Sequence, residues 1–126
     1  MTYLLDISTL LALLWDRHVN NERVTRWQAT ASLAVCPLTE LGFLRISTQP
    51  ALGATVEEAK RMLRDWKQAR KPKFVPCDLE ALDMDGPPSG PKTTDFYLAS
   101  LAAKQGMRLA TLDKHIEHKA AFVVPS

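Results

Sequence analysis

The feature that most constrains this chain is a set of short apolar runs separated by helical stretches. Tyr3-Leu4-Leu5, Leu33-Ala34-Val35-Cys36, Phe74-Val75, Arg108-Leu109-Ala110-Thr111-Leu112 and Ala121-Phe122-Val123-Val124 are each too short for a helix of ordinary length. Between them lie segments with helical periodicity. One runs from Ser8 or Thr9, either of which can cap it, to about Trp15, and a second from Glu22 to about Thr30. A third opens at Glu40 behind Thr39, after Pro37 closes a strand, and ends before Pro50. Thr55-Val56-Glu57-Glu58 is a capping box, in which threonine and glutamate each satisfy a free backbone group, and its helix reaches about Ala69. A brief helix is expected around Leu79 to Leu82, then the loop Asp85-Gly86-Pro87-Pro88-Ser89-Gly90-Pro91, and a last helix from Thr93 to a stop at Gly106. Strands alternating with helices pair in parallel through crossovers, so the chain reads as an α/β fold, one domain over residues 1–126.

The totals bound the rest. A chain of 126 residues, 46% of them apolar, can bury a core without disulfides or structural metal. A formal charge of +2 permits a nucleic-acid partner without arguing for one. Cys36 and Cys77 have neither CxxC nor Cys/His ligand spacing, which points to free thiols in a reducing, cytoplasmic home. The apolar N-terminus lacks a basic leader and is broken by Asp6, and no run approaches the roughly 20 apolar residues of a membrane span. A soluble protein with no membrane association is expected.

An acid follows a strand, or opens the next helix, at Asp6, Glu40, Asp95 and Asp113. In a parallel sheet the strand exits share one edge, and ligands bind in the crevice there. A carboxylate at a helix N-terminus has a bland explanation in the helix dipole, which accounts for Glu40 or Asp95 alone. Four together would raise one another's pKa values unless a cation compensates. Oxygen donors without histidine or thiolate suit Mg²⁺ or Mn²⁺, and the chemistry suggested is metal-assisted phosphodiester hydrolysis.

The pieces Leu4-Leu5-Asp6-Ile7-Ser8, Leu38-Thr39-Glu40-Leu41-Gly42-Phe43-Leu44-Arg45, Thr94-Asp95-Phe96-Tyr97-Leu98-Ala99 and Leu109-Ala110-Thr111-Leu112-Asp113 resemble a PIN-domain ribonuclease, more narrowly a VapC-type toxin of the VapBC toxin–antitoxin systems. The resemblance implies a sheet of about five strands in the order 3-2-1-4-5. It also implies a Mg²⁺- or Mn²⁺-dependent endoribonuclease, usually dimeric and held inactive by a cognate VapB-like antitoxin. By position Asp6 and Asp95 would be metal ligands, with Glu40 and Asp113 completing the site directly or through water. Serine at position 8 departs from the asparagine often found in the family, and helix capping explains it equally well. The implied sheet order puts Asp78 at the far edge, as a cap of the short helix.

Lys92, Lys114 and Arg45 lie close in sequence to the acids and are candidate RNA contacts, Arg45 equally a partner that orients an acid. The basic face Lys60, Arg61, Arg64 and Lys67 reads as solvated, and His18, His115 and His118 as surface residues. The rival reading is a non-catalytic PIN-like or receiver-like magnesium-binding module. A receiver needs paired acids at the first strand exit and a lysine after the fifth strand, whereas Asp6 stands alone and Val124 leads to Pro125-Ser126.

Overall fold

The computed structural model describes residues 1–126. Five strands form one parallel sheet: β1 (Thr2–Leu5), β2 (Ser32–Val35), β3 (Lys73–Phe74), β4 (Arg108–Thr111) and β5 (Ala121–Val123). Their spatial order is β3-β2-β1-β4-β5, as the resemblance implies. β1 is central, with Leu4 in register between Ala34 of β2 and Leu109 of β4.

Five helices cover the sheet: α1 (Ile7–Leu14), α2 (Asn21–Gln28), α3 (Pro37–Ser47), α4 (Val56–Arg70) and α5 (Thr93–Lys104). The period-2 alternation of strand side chains divides the core in two. Leu5, Leu33, Val35 and Ala110 face one way and pack with Leu10 of α1, Val24 of α2, Phe43 of α3 and Leu63 and Trp66 of α4. Leu4, Ala34, Cys36 and Leu109 face the other way, against Leu98, Leu101 and Ala102 of α5. Cys36 is buried and Cys77 exposed, and neither is bridged. No helix is long and apolar enough to cross a membrane.

Several local expectations change. Neither Ser8 nor Thr9 caps α1. Asp6 does, accepting a hydrogen bond from the Thr9 amide while its own backbone stays extended. Pro37 does not merely stop β2. It is the first residue of α3, where proline has no amide to waste and its fixed φ already suits a helix. Thr39 therefore sits inside α3 and donates to Leu5 O at 2.8 Å instead of capping. The capping box at Thr55 and Glu58 forms as expected, and Gly106 adopts a φ of 70° beyond α5. The short helix is a single 3₁₀ turn, Ala81–Asp83, and Asp78 does not cap it, lying instead 3.6 Å from Lys104 of α5.

Candidate active site

The site begins at the end of β1. Asp6 is only 4% exposed because the Asp6 amide is still in the sheet, donating to Ala110 O at 3.1 Å, while its carboxyl already caps α1. Oδ1 accepts from the Thr9 amide at 2.8 Å and from Ser8 Oγ at 3.0 Å. The hydroxyl at position 8 thus serves as a donor to the Asp6 carboxylate. Burial pushes the Asp6 carboxyl above its ordinary pKa, against the pull of hydrogen bonds from Thr111, Thr9 and Ser8.

Asp95 reaches Asp6 from the other layer, in the first turn of α5. The two carboxylates line one cavity of about 270 Å³, with Ser8, Thr94 and Arg45 among its other walls. Asp95 is also raised in pKa, first by burial, then by the charges of Asp6 and Asp113, with Lys92 opposing. Asp113 follows β4, where its amide donates to Thr111 Oγ1 at 3.0 Å and its Oδ1 accepts from the His115 amide at 2.8 Å. Lys92 Nζ lies 4.0 Å from Asp113 Oδ2. Asp95 therefore feels the charges of two of the other three expected acids across the strand exits.

Glu40 stands apart from this group. It opens α3, but its Oε2 meets Lys67 Nζ of α4 at 2.5 Å and it does not line the Asp6–Asp95 cavity. Its helix is nevertheless locked to the site on both sides of Asp6. Thr39 bonds Leu5 O, and a Cβ on Gly42 would fall 2.4 Å from Ile7 Cδ1, so the Ile7 side chain of α1 packs directly on the α3 backbone. Arg45 is exposed at the cavity wall and forms no ion pair, so it does not orient an acid.

The donor set, carboxylates and hydroxyls with one ammonium opposing them, suits a hard cation. Crowded, partly buried carboxylates of raised pKa are what such an ion would relieve. No three of these side chains converge into a ready-made ligand shell.

His118 departs from its expected surface role. Its side chain is 3% exposed, with Nε2 3.0 Å from Asp85 Oδ2 and Nδ1 accepting from the Ala120 amide. The Asp85 amide in turn donates to Ser100 Oγ of α5. This clasp ties the loop before α5 to the segment after Asp113, and partners 33 residues apart gave no signal in the sequence.

A parallel sheet of this order, covered by helices and with an acidic cavity at its central strand exits, defines a three-layer α/β domain. The family model of the PIN domain matches residues 3–121, and the chain belongs to that family. It is 38% identical to Ribonuclease VapC38 of Mycobacterium tuberculosis (strain ATCC 25618 / H37Rv), over 87% of this chain and 84% of that one. It is 33% identical to Ribonuclease VapC44 (92% and 89% covered) and 32% identical to Ribonuclease VapC39 (96% and 95% covered), both of Mycobacterium tuberculosis (strain CDC 1551 / Oshkosh). The family is thus of the VapC type.

Proposed function

We propose that this chain is a metal-dependent endoribonuclease, the toxin of a type II toxin–antitoxin pair, hydrolysing RNA phosphodiester bonds as one PIN domain spanning residues 1–126. The observation that carries the reading is the cavity shared by Asp6 and Asp95 at the strand exits, where the charges of Asp6 and Asp113 raise the pKa of Asp95. The relatives' names as ribonucleases give the substrate class.

Asp6 and Asp95 are the proposed primary ligands of Mg²⁺ or Mn²⁺, with Asp113 joining them and Glu40 acting through water after release from Lys67. A bound ion of this kind supplies Lewis-acid activation of water and positive charge at the scissile phosphate. The chain's own residues do the rest. Ser8 and the Thr9 amide hold the Asp6 carboxylate in one orientation, Thr111 fixes the turn that presents Asp113, and Lys92 and Arg45 offer cations to the phosphates. Lys114, exposed beside Asp113, can take a further phosphate. A cognate VapB-like antitoxin, a homodimer and a cytoplasmic location complete the proposal. Leu41, 62% exposed one residue from Glu40, is apolar surface that such a partner would cover.

The test is cleavage of total RNA by the purified chain with Mg²⁺ or Mn²⁺. EDTA should stop it, and Asp6→Asn or Asp95→Asn should slow it by about 100-fold or more with the fold intact. Full activity in both variants would overturn the assignment.

A further inference from the structure

Beside the acidic edge lies a second, differently charged feature. A groove of about 410 Å³ runs between α3 and α4, lined by Glu40, Lys60, Leu63, Arg64, Lys67 and Gln68. Lys60, Arg64 and Lys67 recur at four- and three-residue intervals, so they stack along one face of α4, about 100° round the helix from its buried Ala59, Leu63 and Trp66. A solvated helix face usually pairs its cations with acids a turn away. Arg64 has no acid three or four residues away, and Lys60 has only Glu57, with which it forms no ion pair. Glu58 is engaged by the Thr55 backbone in the capping box, and neither Lys60 nor Arg64 has a carboxylate within ion-pair distance. Only Lys67 is paired, to Glu40, which neutralises the one acid at the groove's inner end.

That inner end is tied to the site through the start of α3. Glu40 follows Thr39, which is bonded to Leu5 O next to Asp6. We propose that the α3–α4 groove is a phosphate track for single-stranded RNA, with Lys60 and Arg64 each neutralising a backbone phosphate of the strand whose scissile bond lies at Asp6 and Asp95. The inference rests on the ribonuclease reading and extends it to a substrate-binding surface. An apolar helix is the wrong occupant, since Leu63 is the only hydrophobic residue of the lining and the other apolar surface belongs to the stems of charged and amide side chains, whereas the unpaired cations match a polyanion. Entry of the strand would also give Lys67 a phosphate in exchange for Glu40, releasing the carboxylate toward the acidic edge.

The experiment measures binding of a labelled single-stranded oligoribonucleotide to the full chain in the non-cleaving Asp6→Asn background, across a salt series. Adding Lys60→Ser and Arg64→Ser should weaken binding about tenfold at low salt and reduce the slope of log K against log salt by about 1.4, two phosphates at about 0.7 each. Arg17→Ser with Arg26→Ser, an equal charge change at two exposed positions, one of them on α2, should leave the slope unchanged. An unaltered slope in the double variant, with its thermal unfolding intact, overturns the track and leaves the cations to an acidic protein partner. Equal loss in the Arg17→Ser, Arg26→Ser chain overturns it as well, by showing only a net-charge effect. Absence of metal-dependent cleavage by the unmodified chain would overturn the ribonuclease reading instead, a separate readout on a separate protein.

Discussion

Asp6 performs two tasks that pull in opposite directions. As the N-cap of α1 it stabilises the helix, and as a buried carboxylate it destabilises the chain whenever it is ionised without a counter-charge. Because burial raises its folded-state pKa above the unfolded value, the metal-free protein is favoured at acid pH. It loses stability as pH climbs from the ordinary carboxylate range through the raised folded value, and the penalty is complete above that. Asparagine caps as well as aspartate and carries no charge. Asp6→Asn should therefore raise the thermal midpoint of the metal-free chain at neutral pH and flatten its decline between mildly acid and neutral pH, while activity is lost. A variant less stable than the parent at neutral pH would show that the charge is better compensated than its surroundings indicate. The aspartate was legible in the sequence as a charge ending an apolar run, but its capping role was not. Two hydroxyl residues followed it, and either could cap. Only the extended backbone at Asp6 decides the matter, and it leaves Ser8 to donate to the carboxylate.

The helices were legible where periodicity and caps agreed, and α4 with its capping box is the plainest case. α3 was legible in content and misplaced at its start, because Pro37 ends a strand and begins a helix with equal ease and only the tertiary bond from Thr39 to Leu5 O separates the two. What sets α3 against α1 is Gly42. Alanine there would gain about 1 kcal/mol of helix propensity. Its Cβ would, however, lie 2.4 Å from Ile7 Cδ1, 2.6 Å from Cγ1 and 3.0 Å from Cγ2, so both branches of the isoleucine are in the way and no single rotation clears it. Overpacking of this kind costs about 1–3 kcal/mol, and the clash should win. Gly42→Ala is expected to lower stability in urea denaturation and to reduce cleavage, since Ile7 adjoins Asp6. Trimming Ile7 to alanine in the same chain should recover part of the loss, and a single variant as stable as the parent would refute the close contact. On α4 the indole N–H of Trp66 is buried with no partner, so Trp66→Phe should be nearly neutral, whereas Trp66→Ala should cost about 3–5 kcal/mol in the same measurement.

At the scale of the whole molecule, the five strands could be read from their apolar runs, but their order could not. A run of three or four residues says nothing about its neighbours, and only the resemblance supplied 3-2-1-4-5. The order matters because it makes β1 and β4 adjacent and brings their exits, with Asp6 and Asp113, under the N-terminus of α5. The site is thus assembled from both layers. Asp6 belongs to the core under α1 to α4, and Asp95 to the α5 side, so a cation held between them would tie the two halves across the sheet edge. Glu40 shows where such reading stops, because its partner Lys67 lies 27 residues away on a helix whose rotation no local pattern fixes. A ligand that binds only the folded chain stabilises it by about 2.7 kcal/mol at a hundred times its dissociation constant. For a domain of this size that corresponds to a rise of roughly 5–15 °C in the thermal midpoint. Mn²⁺ or Mg²⁺ should therefore raise the midpoint in a concentration-dependent way at neutral pH. The effect should fade at acid pH, where protons compete for the raised carboxyls of Asp6 and Asp95. Asp95→Asn should show little of it, because the remaining acids then come from β1 and the β4 exit alone. Equal metal-induced stabilisation of Asp95→Asn and the parent chain would place the ion somewhere other than between the two layers.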